Sequence, residues 1–213
     1  MSHASWVAKA AWGVGILGCS LLLAGCAGGG GSIPEPRIYR IAVPPPPNTA
    51  ASPRPLTLGV AVLGGAETYR QERLVYRTTP YKVAFYPYDR WEVAPVEMVT
   101  DALIGHLRAA GLFRRVVPYG RDGRADYVLR GRLLRFDQED TGSGTQWTAV
   151  VELEYQVVDP LKGDVLASGT VRATRPVEGR EPAAIVRALS VATGEALGSL
   201  GPQVAGAIPA GPR

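Results

Sequence analysis

The run Trp147-Thr148-Ala149-Val150-Val151-Glu152-Leu153-Glu154-Tyr155-Gln156-Val157 decides the fold. Trp147, Ala149, Val151, Leu153, Tyr155 and Val157 alternate with Thr148, Glu152, Glu154 and Gln156. This period of two belongs to a strand with one apolar and one wet face. Upstream, Tyr127, Leu129 and Leu133 share one face while Arg130 and Arg132 share the other, across a loop at Thr141-Gly142-Ser143-Gly144. Downstream, Asp159-Pro160-Leu161-Lys162-Gly163 turns into a third strand bearing Val165, Ala167, Val171 and Ala173. Three alternating strands joined by short turns predict an antiparallel meander, wet on one side. Arg130 and Arg132 are expected opposite Glu152 and Glu154, as cross-strand pairs worth about a few tenths of a kcal/mol each.

Working outward, Leu56 to Leu63 reads as a strand closed by Gly64-Gly65. Leu74-Val75-Tyr76-Arg77 and Tyr81 to Tyr86 form a hairpin through Thr78-Thr79-Pro80. A helix starts at Pro95, with an apolar stripe of Val96, Val99, Leu103, Leu107 and Ala110, and Gly111 ends it as a left-handed cap. Arg114 to Val117 makes a further strand, stopped by Pro118. After Glu181-Pro182, Ile185, Leu189, Ala192, Ala196 and Leu200 repeat at helical spacing. The fold class is α/β (α+β): a two-layer sandwich, with a largely antiparallel or mixed sheet and two amphipathic helices on one face. Residues 56–200 are its globular domain, and the Gly/Pro/Ala-rich residues 201–213 read as a flexible tail.

The N-terminus supplies an address. Lys9 precedes fifteen uncharged residues, Ala10 to Ala24, ending in Leu23-Ala24-Gly25-Cys26. The apolar run falls short of the roughly 20 residues of a spanning helix, so residues 1–25 suit a signal peptide, with an uncleaved anchor as the alternative. The final four residues resemble a bacterial lipobox, in which small residues admit the peptidase and the thiol carries the lipid. Cys26 is therefore the expected lipidation site, and its covalent lipid is the only non-protein group expected. Several acyl chains, at about 0.8 kcal/mol per buried methylene, anchor a protein stably. Ala27 follows where an aspartate would signal inner-membrane retention, which favours the outer membrane. Residues 26–55 are a tether, flexible at Gly28 to Ser32 and stiff at Pro44 to Pro47. Arg37 to Val43 alternates within it, as a first strand or as more linker.

Composition narrows the function. The chain has 213 residues, 46% hydrophobic, 20% charged, with net charge +4. Acids and arginines share the same segments, so no basic stripe favours nucleic acid. Both cysteines lie within the first 26 residues, leaving one imidazole, His106, beyond them. That excludes a disulfide framework, a cysteine zinc site and a cysteine nucleophile from the body. No phosphate-cradling loop occurs, and Gly142-Ser143-Gly144 lacks the nucleophile-elbow spacing. His106 reads as a helix-surface histidine, and Glu152 with Glu154 as a solvated strand face. An enzyme is not expected. Rings and arginines are concentrated between Tyr69 and Trp91, the residue types that anchor protein interfaces. Tyr76, Arg77, Tyr86, Tyr88, Arg90 and Trp91 are the candidate partner interface.

The order of these weak motifs carries a resemblance. A lipobox precedes Tyr39-Arg40-Ile41, then Leu56-Thr57-Leu58-Gly59-Val60, then Glu72-Arg73-Leu74-Val75-Tyr76-Arg77 and Asp89-Arg90-Trp91-Glu92. A helix with Leu103 and Leu107 leads to Ala110-Gly111-Leu112-Phe113-Arg114-Arg115-Val116, followed by Asp126-Tyr127-Val128-Leu129 and Phe136. Over roughly residues 36–200 the chain resembles the ABC-type transport auxiliary lipoproteins, the PqiC/YmbA-like group. The resemblance implies a lipid-anchored outer-membrane protein of a Gram-negative bacterium, facing the periplasm. It implies a partnership with an MCE-domain (MlaD/PqiB-like) protein and, through it, an ABC permease and ATPase moving lipid or other hydrophobic cargo. It implies docking, no catalysis, and leaves room for a homo-oligomer. Glu92-Val93-Ala94 departs from the small residue and acid that usually follow the tryptophan. The alternative function is regulation of a cell-wall enzyme or of a secretion assembly.

Overall fold

The computed structural model describes residues 34–46, 52–120, 123–141 and 146–209. Residues 1–25, Cys26, Ala27, the Gly28 to Ser32 stretch, Pro47 and Gly142-Ser143-Gly144 lie outside them. The described strands are β1 (Arg37–Tyr39), β2 (Arg54–Ala61), β3 (Gly64–Gly65), β4 (Arg73–Thr79), β5 (Lys82–Trp91), β6 (Phe113–Tyr119), β7 (Tyr127–Thr141), β8 (Gln146–Val158) and β9 (Val165–Pro176). They join in one mixed sheet, accompanied by helices α1 (Pro95–Ala109) and α2 (Pro182–Ala207).

β7 is the trunk of this sheet. One of its edges pairs antiparallel with β8 along nearly its whole length, and β9 continues the meander. The other edge is shared in parallel by β2 near Leu129, β3 near Arg132 and β4 near Gln138. A strand of 15 residues is far longer than the usual five or six, so one side of it accommodates two branches. One branch runs β2–β6 and the other β4–β5–β1.

Pairing assigns the faces. Leu133 opposes Leu153 and Phe136 opposes Val151, all fully buried. Tyr155, on the same face, donates its hydroxyl proton to Gln203 Oε1 of α2 at 2.8 Å, which fixes this as the helix side. Val96, Val99, Leu103 and Leu107 of α1 and Ile185, Leu189, Ala192, Ala196 and Leu200 of α2 are buried, as the stripes predict. Gly111, at φ 67°, follows α1 in the left-handed region where glycine carries no Cβ penalty. By length and composition α2 would also suit a membrane crossing, but most of its apolar residues, Val191 excepted, are buried in this core.

Four expectations change. Residues 201–207 are helix, because Val204 and Ala205, with Ile208 just beyond, bury in the core and override Pro202. The described part of the tail is therefore structured, and tertiary packing decides it over propensity. The tether boundary also moves: Arg37–Tyr39 pairs parallel with β5, so this piece is a strand. Beyond it the Ile41 N–H donates to Met98 Sδ and the Ala42 N–H to Ser190 Oγ, while Val43 and Pro44 rest against Gly194. This strap makes His106 a buried residue, 6% exposed, instead of a surface one. Finally, Arg132 stands opposite Glu154, but Arg130 faces Gln156, and a bulge after Leu133 brings Arg135 opposite Glu152. Glu152 accepts instead from Arg172 on β9 at 3.3 Å.

Candidate partner interface

The β4–β5 hairpin carries all six candidate residues. Its strands pair Val75 with Phe85 and Arg73 with Arg90. The two-residue step from Arg73 to Val75 thus faces a five-residue step from Phe85 to Arg90. The surplus backbone bulges, and Pro87 and Tyr88 are exposed there, Tyr88 by 40%. Tyr81, at the hairpin tip, is 96% exposed.

The remaining candidates are held more tightly. Tyr76 and Tyr86 are half-buried, their rings tilted with centroids 5.1 Å apart. Tyr86 donates its hydroxyl proton to Gln138 Oε1 at 2.6 Å. Burial, then the neighbouring Tyr76, pushes its phenol up to about 12. Arg77 donates from Nε to Asp137 Oδ2 at 2.8 Å. Trp91 is 1% exposed and packs 5.3 Å from the Phe136 ring. No partner can reach it in this fold, so the surface loses Trp91 to the core. Large rings serve the core first because each buries so much apolar area. Tyr88 and Arg90 remain, edged by Ile38, which pairs with Arg90 from β1.

Asp137 is the polar centre that the sequence reading missed. It is fully buried on the face opposite the helices, beside Val150 of β8. It accepts from Tyr69 Oη, from Arg77 Nε, and from Arg135 Nη2 at 2.7 Å. Arg135 also reaches Glu139 at 3.0 Å. Burial works against the Arg135 charge, yet the bonds to Asp137 and Glu139 leave its pKa raised. Burial and Asp137 together push the Tyr69 phenol up to about 12. Two arginines and two carboxylates balance, and the Asp137 oxygens are saturated, so this is a staple across β4 and β7 with no free valence for a substrate. The period-two position of Asp137, in step with Leu129 and Leu133, puts it on the apolar face, and the bulge between Leu133 and Arg135 turns it to the other.

An open groove of about 490 Å³ runs beneath the strap, lined by Ile41, Val43, Met98, Asp101 and His106 among others. Burial holds the His106 imidazole below its usual range, and its Nδ1 has no hydrogen-bond partner among the described residues. No group of three or more histidine, cysteine or acidic side chains there is placed to hold a metal ion.

A family model described as the ABC-type transport auxiliary lipoprotein component matches residues 39–200. The fold is similar to that of a Xanthomonas campestris protein of the DUF330 family, with TM-score 0.72 and 24% identity over 80% of this chain and 96% of that one. It is also similar to an uncharacterized protein, with TM-score 0.62 and 12% identity over 80% and 99% of the two chains. No curated protein sequence matches the chain significantly.

Proposed function

Because this chain belongs to the ABC-type transport auxiliary lipoprotein family, we propose that it serves its transport system by docking a partner subunit on the β4–β5 hairpin and performs no chemistry itself. The observation that carries this reading is the bulge after Phe85, which holds an aromatic ring, Tyr88, in water beside a half-buried Arg90. An exposed ring gains by being covered, and Tyr and Arg are among the residue types enriched at interface hot spots. The partner is an MCE-domain protein of an inner-membrane ABC permease and ATPase, and the cargo is lipid or another hydrophobic molecule. Cys26 carries the lipid that holds the body at the outer membrane, facing the periplasm.

Two experiments test the reading. Mass spectrometry of the mature N-terminus is expected to show an acylated Cys26, lost in Cys26→Ala; a native chain with residues 1–25 intact contradicts the anchor. Replacing Tyr88 and Arg90 together by alanine is expected to reduce co-purification with the MCE-type partner while thermal unfolding stays within a few degrees. Full co-purification by a folded variant places the interface elsewhere.

A further inference from the structure

The half-buried arginines of this body mostly end on acceptors. Arg77 and Arg135 reach Asp137, and Arg54 reaches the Ile208 carbonyl. Arg73 and Arg90 are different. They stand directly opposite one another across β4 and β5, both half-buried. Arg73 Nε and Arg90 Nη1 are shut away from solvent with no hydrogen-bond partner among the described residues. Neither guanidinium makes an ion pair there. Like charges directly opposite on a sheet repel, and buried donors without acceptors add to the strain. The Arg73 guanidinium lies 4.3 Å over the Phe85 ring, which fixes its plane without neutralising its charge.

A fold that keeps two cross-strand arginines without an ion pair among the described residues leaves an anion to join them. We infer that Arg73 and Arg90 form a two-guanidinium site that takes a carboxylate from an acidic segment of the docking partner. This rests on the docking reading and gives that surface its charge chemistry. Planar guanidiniums match a carboxylate through paired, charge-assisted hydrogen bonds. Ile38, 59% exposed and paired with Arg90, and Tyr88 flank the site with apolar surface, so a charged centre sits within a water-excluding rim. Both arginines are recessed, which suits a projecting side chain better than a flat membrane surface.

The test uses the full acylated chain in non-ionic detergent, titrated calorimetrically with a hexaglutamate peptide at low salt. One-to-one binding is expected, weakened about tenfold or more in Arg73→Gln/Arg90→Gln. Arg114→Gln/Arg115→Gln, which removes the same charge from exposed positions of β6, is the control and is expected to bind nearly as wild type. The Arg73/Arg90 variant is also expected to melt no lower than wild type, since the mutual repulsion has gone. Equal weakening in both double variants shows general charge attraction and overturns the site. Undiminished binding in the Arg73/Arg90 variant overturns it as well. Inorganic phosphate that binds at these arginines while the peptide does not overturns the assignment to a protein carboxylate. If the double variant fails to fold, Arg90→Lys keeps the charge without the planar fork. It is expected to weaken the peptide several-fold, and unchanged binding is then the contrary result. Unchanged co-purification of the MCE-type partner in the Arg73/Arg90 variant, alongside peptide binding that depends on the two arginines, would strike the docking reading and leave the anion site standing.

Discussion

Asp137→Asn is the perturbation whose size the structure specifies best. The aspartate side chain is completely buried, and the Arg77 and Arg135 side chains are 18% and 21% exposed. Removing one member of such a buried pair costs about 3–5 kcal/mol, because the partner charges stay behind. Several contacts soften the loss. Asparagine keeps one oxygen acceptor, Arg135 keeps Glu139 at 3.0 Å, and Arg77 keeps Tyr69 Oη at 3.2 Å. The lower end, about 3 kcal/mol, is therefore expected. At about 2–4 °C per kcal/mol for a domain of this size, the midpoint falls by about 6–12 °C. Thermal and urea unfolding followed by circular dichroism at pH 7 read this directly. The loss should survive 0.5 M salt, since screening acts mainly on exposed charges. Glu92→Gln, which breaks the exposed Arg40–Glu92 pair, is the control and should cost less than about 1 kcal/mol. An Asp137→Asn protein within about 1 kcal/mol of wild type would refute the reasoning, showing that water already reaches the cluster.

Leu153→Ala should cost about 2–5 kcal/mol in urea unfolding, since Leu153 is fully buried opposite Leu133; a neutral result would put the meander in the wrong register. Burial lowers the His106 pKa below its ordinary 6.5, so the folded chain binds that proton less readily than the unfolded one. Stability is therefore complete above pH 6.5 and falls as the pH drops below it. Midpoints measured between pH 7.5 and 5.5 should fall less steeply in His106→Gln than in wild type, and parallel slopes would contradict this. Gly131→Ala drives a Cβ into the Glu154 carbonyl oxygen, so β7 and β8 must separate locally; a midpoint unchanged from wild type would show that the strands have room. Ending the chain after Gly201 removes the buried Val204, Ala205 and Ile208, and a marked loss of stability by circular dichroism is expected; none would restore the flexible tail.

The meander and both helices were legible because periodicity is a local signal. Trp147 to Val157 announces its faces residue by residue, and Val96 to Leu107 does the same at helical spacing. What escaped reading depends on contacts far apart in sequence. Asp137 falls in step with the apolar Leu129 and Leu133, and only the bulge after Leu133 turns it to the face where Tyr69 and Arg77 close over it. His106 looked exposed because nothing near it in sequence shows that Val43 to Pro46 crosses its helix. Gly201-Pro202 reads as a stop, yet the core beyond it wants Val204 and Ile208. In the candidate surface, spacing could not separate Tyr88 from Trp91, since the surplus residues between Phe85 and Arg90 break the alternation that would have sorted them.

The most direct test of the docking account is a crosslinking pull-down of the protein from its own membranes, with partners identified by mass spectrometry. The account predicts enrichment of an MCE-domain subunit and its ABC permease and ATPase, diminished when Tyr88 and Arg90 are alanine. Recovery of a peptidoglycan synthase or a secretion ring in their place, unaffected by those substitutions, would contradict it.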